Sequence, residues 1–402
     1  IYFMPAGDYD WGGIVFDANA DDAIFEDDTV YVSGSVFEYC DVRYGGNSAV
    51  INAETTSLYV AHSNISENYN DALYVGDNSV IKNCSFTSNA GEAINGGRFF
   101  LNCIFSDNGD GGVSSYNASL LKNCTFDSNI GRSVNFDVYN SVQIIRNIFT
   151  NNSNTISGNA TFGGGIVKCE SNQMVISDNY FENNTFVSEA YIDWSGGILY
   201  SYGNGSLIKN NTFYNNFIIM ESNNYYLNGG AVSVFGHSLQ FIHNTIDSTH
   251  QTGGRLKGTG LYVQGNNAVI DSSFVINNVN TGYGNNRYAA GIHLNGSSNR
   301  IQNTTISGNR IMQDGTQGAG IYITGSLTDT LVNNIISDNI SEGNCFGGGI
   351  YVDKPAYIFN NSIFNNSAYK GGGLYLASSD IFIDYNTITN NHANNDGGAI
   401  WL

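Results

Sequence analysis

The sequence predicts an all-β fold, a single parallel β-helix (solenoid) of about fourteen coils with longer lateral loops in the central coils. The first supporting observation is a recurring apolar position: Val42, Ile65, Phe86, Phe105, Phe126, Phe149, Phe181, Phe213, Ile246, Phe274, Ile306, Ile336, Phe364 and Ile388. Two residues before each stands a small or amide side chain: Cys40, Ser63, Cys84, Cys103, Cys124, Asn147, Asn179, Asn211, Asn244, Ser272, Thr304, Asn334, Ser362 and Asn386. Positions two apart share one face of a strand, so both columns point into one interior. The second observation is Asn three residues after the apolar position: Asn68, Asn89, Asn108, Asn129, Asn152, Asn184, Asn216, Asn277, Asn309, Asn339 and Asn391, with breaks at Thr249 and Ser367. Asn tolerates the left-handed backbone of a tight corner. The third is a glycine column, as in Gly196-Gly197, Gly229-Gly230, Gly348-Gly349 and Gly372-Gly373, which marks a second corner with no room for a Cβ. An inward ladder of amides over Asn147, Asn179, Asn211 and Asn244 is expected from these columns.

In chain order, residues 1–34 form an irregular opening coil and 35–402 one continuous solenoid domain. Ile14-Val15-Phe16 and Val30-Tyr31-Val32 read as the strands of the first coils. Asp17, Asn19, Asp21 and Asp28 loosely resemble a calcium loop, the one cofactor this chain suggests. Asp22 occupies the place of the sharp-turn glycine and Asp28 that of the bidentate Glu, so a solvated acidic loop competes with that reading. Between Val42 and Phe149 the apolar positions recur every 19 to 23 residues, and from Phe149 to Phe364 every 28 to 33. The added residues enter between the Asn and Gly corners, as in Thr185 to Ser195, Phe217 to Asn228, His250 to Thr259, Val279 to Ala290 and Arg310 to Gln317. Insertions at one corner of successive coils stack on one side, where solenoids often build a binding face. That side holds Tyr191, Trp194, Tyr225, Tyr226, Arg255, Lys257 and Arg287, a candidate face for a glycan or another cell-surface partner. Aromatic residues packing on one another simply to order the loops is the competing reading.

A net charge of −20 argues against nucleic acid and anionic membranes as partners, and no apolar run is long enough to span a membrane. The six cysteines contain no CxxC spacing and read as buried thiols, four of them in the small inward column. Asn-x-Ser/Thr sequons at Asn64, Asn117, Asn159, Asn204 and Asn295 would matter in a glycosylating host.

The Gly-Gly-Ala-Val of 229–232 and Gly-Gly-Ala-Ile of 397–400, alternating with Phe-x-x-Asn at 86–89, 105–108, 126–129, 181–184 and 213–216, resemble the polymorphic outer-membrane-protein repeat. Such repeats belong to adhesin-like, right-handed parallel β-helix proteins of the pectate-lyase-like superfamily. Tyr9 to Phe16, followed by Gly34 to Tyr39, looks like the opening coils of large secreted β-helix proteins. The resemblance covers nearly the whole chain and rests on structural residues. It implies right-handedness and a secreted or cell-surface setting, and it is weak for function.

Polysaccharide lyases and hydrolases share this fold, and their chemistry needs calcium on an Asp cluster with a base, or a pair of carboxylates. The sequence places no Asp pairs on a strand face in successive coils. The best available set is Glu221, His250, Arg255, Lys257 and Arg287. The expectation is therefore a non-catalytic extracellular structural or adhesive protein, with a carbohydrate-active enzyme or glycan-binding module as the alternative. The last rung, Gly397 to Leu402, has no helix, Pro or charge cluster after it, and Ile1-Tyr2-Phe3-Met4 is apolar. Head-to-tail stacking into a filament, with Ile1 to Met4 near Ile400, Trp401 and Leu402 of the next subunit, is one expectation. A rod trimmed from a longer chain is the other.

Overall fold

One coil shows how these residues make the fold. From the strand Leu199–Tyr202 the chain passes to Leu207–Lys209, turns at Asn210, and runs through Thr212–Tyr214. It turns again at Asn215, enters Phe217–Met220, and returns through Tyr226–Asn228 and Gly229-Gly230 to Val232–Phe235. Each strand pairs in parallel with its equivalent one coil on, as in Leu199↔Val232, Leu207↔Gln240, Phe213↔Ile246 and Phe217↔His250. Leu199–Tyr202, Leu207–Lys209, Thr212–Tyr214 and Phe217–Met220 thus represent four faces, called first to fourth below. Their sheets hold 15, 14, 15 and nine strands. This is a parallel β-helix, and no helix occurs among the described residues. The computed structural model describes the chain apart from residues 5–10, 47, 158–159, 163, 190–191, 195, 222–225, 283–286 and 313. For 160–162, 192–194, 226, 255–256 and 287 it describes the backbone alone.

The chain divides into two compact units, 1–154 with 166–180 and 155–165 with 181–402. Inside the first, Phe86, Phe105, Phe126 and Phe149 stack at ring separations of 5.4, 4.6 and 4.8 Å. Asn89, Asn108, Asn129 and Asn152 form a buried ladder, each Nδ2 donating to the Oδ1 of the next at 2.9 Å. Asn147 donates its backbone N–H and Nδ2 to Asn179 Oδ1 at 2.9 and 3.0 Å. All six cysteines are buried free thiols. Cys84, Cys103 and Cys124 point their Sγ atoms at the carbonyls of Val60, Ile81 and Phe100. In the second unit Asn211 repeats the pattern on Asn244 at 2.9 and 3.0 Å. A second ladder there runs Asn278, Asn309, Asn339, Asn366 and Asn391. The four expected amides are buried, and the Oδ1 atoms of Asn147, Asn179 and Asn244 each accept a corner N–H that water cannot reach.

Three expectations are corrected. The inward Asn is not itself the left-handed residue. The residue before it is, as at Asn183 (φ 55°), Asn210 (φ 55°) and Asn215 (φ 50°). Its tight turn aims the following amide inward, where it caps the neighbouring coil's backbone.

The apolar column slips by one residue at two coils. Ile246 pairs with Val275, not Phe274, and Ile336 with Ile363, not Phe364. Val275 is fully buried while Phe274 is 49 % exposed. The same shift makes Ser273 and Asn361 the small inward residues in place of Ser272 and Ser362. It also puts Asn278 on the ladder in place of Asn277 and restores Asn366 where Ser367 looked like a break. Size alone would choose Phe as the core residue, but on a strand the two-residue alternation decides.

Third, Val30–Ser33 is no rung. It forms an antiparallel hairpin with Ile24–Glu26, closed by Asp27 and Asp28 at φ 49° and 67°. Three residues, Asp27, Asp28 and Thr29, link the paired Glu26 and Val30, and the first two take the left-handed backbone of a tight turn. Ile14–Val15 does begin the first face, against Ile51-Asn52.

Candidate functional site

The lengthened coils of the second unit make the fourth face and, beyond it, a lateral four-stranded sheet of Tyr226–Asn228, Arg255–Lys257, Arg287–Tyr288 and Thr316–Gln317. This lateral sheet lies between the Asn and Gly corners, where the insertions were expected. Tyr226 pairs with Arg255, and Lys257 with Tyr288. The strand Ile192–Trp194 pairs with Ala160–Phe162. Trp194, Tyr226, Arg255, Lys257 and Arg287 therefore all lie on lateral strands, whereas Tyr191 and Tyr225 fall outside the described residues. His250 of the candidate set is on the fourth face, its ring stacked on Phe217 and its Nδ1 2.9 Å from Ser248 O.

Returning from the lateral sheet, the chain makes its glycine corner. There a Cβ added to Gly230 would sit 2.0 Å from Thr259 O, so crowding alone demands glycine. Two residues beyond the equivalent corners comes a column that sequence reasoning missed: Tyr262, His293, Tyr322, Tyr351, Tyr375 and Trp401, in register on the outward side of the first face. The lateral return covers part of it, so Ala289, Tyr322 and Tyr351 form a buried cluster with Tyr288, Phe346 and Tyr375 packed against it. Tyr351 stacks on Tyr375 at 4.9 Å and Tyr375 on Trp401 at 4.3 Å, nearly parallel. Lys370 Nζ lies 5.3 Å above the Trp401 ring. Ring faces are thus taken up by neighbouring rings, with Tyr262, Tyr322 and Tyr351 buried and Tyr375 and Trp401 half-buried. Tyr322 Oη donates to Asp353 Oδ2 at 3.0 Å, and Tyr262 Oη to Gln264 Oε1 at 2.8 Å. Burial pushes the Tyr262 and Tyr351 hydroxyls up to about 12, so both stay protonated donors at neutral pH. The signal was present in the sequence as an aromatic residue two places after a corner Gly in Gly260-Leu261-Tyr262, Gly320-Ile321-Tyr322, Gly349-Ile350-Tyr351 and Gly373-Leu374-Tyr375.

A second cluster lies in the first unit, just before its first-face strands. Asp71 Oδ1 accepts the N–H of Glu92 at 2.7 Å and its Oδ2 the hydroxyl of Tyr74 at 2.8 Å. Glu92 takes bonds from Ser114 and from Asn95. Burial raises Glu92 to about 7, with the charges of Asp71 and Asp110 adding to it. Acid pairs were expected, if anywhere, on strand faces. This cluster sits at a corner, where Asp71, Glu92 and Asp110 belong to different coils.

In the acidic loop, Asp17 accepts the backbone N–H of Asn19, and Asp28 at the hairpin tip lies 3.6 Å from Arg98. Among the described residues no group of three or more His, Cys, Asp or Glu side chains is arranged to hold a metal. Tyr2-Phe3 pairs with Asp41-Val42 on the third face, whereas Ile400-Trp401 pairs with Leu374-Tyr375 on the first. The two segments expected to meet end to end therefore belong to different faces. Ile1, Tyr2, Met4 and Leu402 are exposed.

A family model described as "Right handed beta helix region" matches residues 48–213 and 230–402. The chain belongs to the right-handed β-helix family. The match spans most of the chain and fixes the hand of the coils. No curated protein and no solved structure matches the sequence. Among the described residues no helix of this β-helix protein is long and apolar enough to cross a membrane.

Proposed function

We propose that this β-helix is an extracellular structural or adhesive protein that holds an extended glycan along the aromatic edge of its second unit. The observation that carries the reading is the column Tyr322, Tyr351, Tyr375 and Trp401, in register beside the lateral strands and passing from buried at Tyr322 and Tyr351 to half-buried at Tyr375 and Trp401. Coils are spaced by about 4.8 Å, a period close to one sugar in an extended chain. With the ring faces stacked on one another, recognition would run through hydroxyl edges and not through sugar stacking. Lys257 and Lys370 beside the column are cations in a chain of net charge −20 and would favour carboxylated sugars. Carboxylates elsewhere on the second unit serve as struts between coils. Asp271 accepts from Gln302, Asn303 and Ser272, and those bonds outweigh its burial and hold its carboxyl low. Asp247 accepts from Ser248 and Asn277. The test is binding to immobilised neutral and carboxylated polysaccharides by wild type and by Y351F/Y375F, which keeps the stack and deletes two donors. Binding at least tenfold weaker in the variant supports the reading. Equal binding, or none by wild type to any polysaccharide, removes it.

Glu92 favours a second reading, a carbohydrate-active enzyme. A carboxyl raised to about 7 beside Asp71 and Asp110 is placed as a general acid next to potential bases. Release of reducing ends or unsaturated products from polysaccharide by wild type and not by E92Q would establish it over the adhesive reading.

A further inference from the structure

His293 is 2 % exposed, yet among the described residues neither ring nitrogen has a hydrogen-bond partner. A buried polar side chain left so is uncommon and calls for an explanation. Its imidazole stands edge-on to Tyr262 (5.1 Å, 85°) and Tyr322 (4.8 Å, 82°) on the first face, and to Tyr288 (5.6 Å, 66°) on the lateral sheet. Tyr288 in turn stacks on Tyr322 at 4.5 Å. The imidazole is therefore the packing piece on which the strand Arg287–Tyr288 meets the first face. The charged and titratable groups around it are Lys257 and Tyr288 on the lateral sheet and Tyr262 and Tyr322 on the first face, with Asp353 behind the Tyr322 hydroxyl.

We propose that His293 is an acid-sensitive latch: neutral, it seats the lateral strand Arg287–Tyr288 on the first face, and protonated, it releases that strand. A neutral imidazole packs among tyrosine rings as an aromatic piece. An imidazolium would bring a charge and two N–H donors into a box that answers neither, with the ammonium of Lys257 repelling it. Ring quadrupoles give such a cation some return, but they cannot satisfy the donors. Burial, with Lys257 adding, holds the His293 proton affinity well below that of a free histidine. The released strand binds the proton more readily than the seated one. The seated form is therefore fully favoured above about pH 6.5 and loses up to tenfold in population ratio per pH unit below it. The latch rests on ring contacts and burial and does not depend on what the aromatic edge binds.

Hydrogen exchange of the whole chain tests it, read at peptides covering Arg287–Tyr288 and Thr316–Gln317 at pH 7.5 and 5.0, each normalised to intrinsic exchange. H293F fills the box with a ring that cannot titrate. Wild type is expected to lose at least tenfold in protection at pH 5.0 while H293F stays level. An equal response in the two proteins overturns the latch. Should H293F not fold, histidine-labelled wild type decides by NMR. An imidazole at His293 that takes a proton near pH 6.5, with the Arg287–Tyr288 strand still protected, overturns the proposal, whereas protonation that accompanies loss of protection supports it.

Discussion

Single residues decide whether a coil closes. Asn211 sits where two strands meet at a corner. Its N–H and Nδ2 both reach Asn244 Oδ1, and its Nδ2 also reaches Lys209 O. Leucine there would leave backbone groups unmet and overfill the corner. Asn211→Leu is expected to cost about 1–3 kcal/mol, read as a lowered denaturant midpoint. No change would mean that the ladder fills space and nothing more. At Glu92 the sign of the pH dependence follows from its raised proton affinity. The folded state binds the proton up to about pH 7, the unfolded chain only to about 4.5, so stability falls as pH climbs through that window. Across the whole window the loss amounts to about 3 kcal/mol. Denaturation of wild type and Glu92→Gln at pH 5 and pH 8 checks it. Wild type should lose stability relative to the variant between the two, and parallel behaviour would refute the assignment.

At the scale of the strand, stacking of like on like is the source of stability. Phe126 lies between Phe105 and Phe149 at 4.6 and 4.8 Å and is fully buried. Phe126→Ala removes a ring with a neighbour on both faces and should cost about 3–5 kcal/mol. Because coils touch only their neighbours, the loss should appear as faster hydrogen exchange in Ile104–Ser106 and Ile148–Thr150 before strands farther along. A uniform rise across every strand would contradict nearest-neighbour coupling. The outward aromatic column obeys the same geometry with another result. Rungs in register force Tyr351, Tyr375 and Trp401 face to face, so both faces of Tyr375 are taken by its neighbours. Size and polarity identify the inward residue of a strand wherever the larger residue is also the inward one. At Phe274-Val275 and Ile363-Phe364 they fail, since the larger residue faces outward and alternation, counted from the corner, sets the register.

For the whole molecule, periodicity in the sequence was enough to specify the parallel β-helix, its Asn and glycine corners and the place of its insertions. These follow from what one coil can bury: a repeat with a single apolar side must stack on its copies, and a corner admits few residue types. The insertions bearing Trp194, Tyr226, Arg255, Lys257 and Arg287 were legible as extra length at a constant point of the repeat, but they were expected as loops and instead pair as strands. The rest depends on neighbours distant in sequence. Asp71 and Glu92 look like isolated surface acids until winding brings them together at a corner, and His293 looks like an ordinary strand residue. Its burial comes from Tyr288 on the lateral sheet and from Tyr262 and Tyr322 one coil away on either side, and no local pattern records whether a buried nitrogen has found a partner. Periodicity carries what repeats, whereas the environment of a titratable group is the sum of contacts that do not.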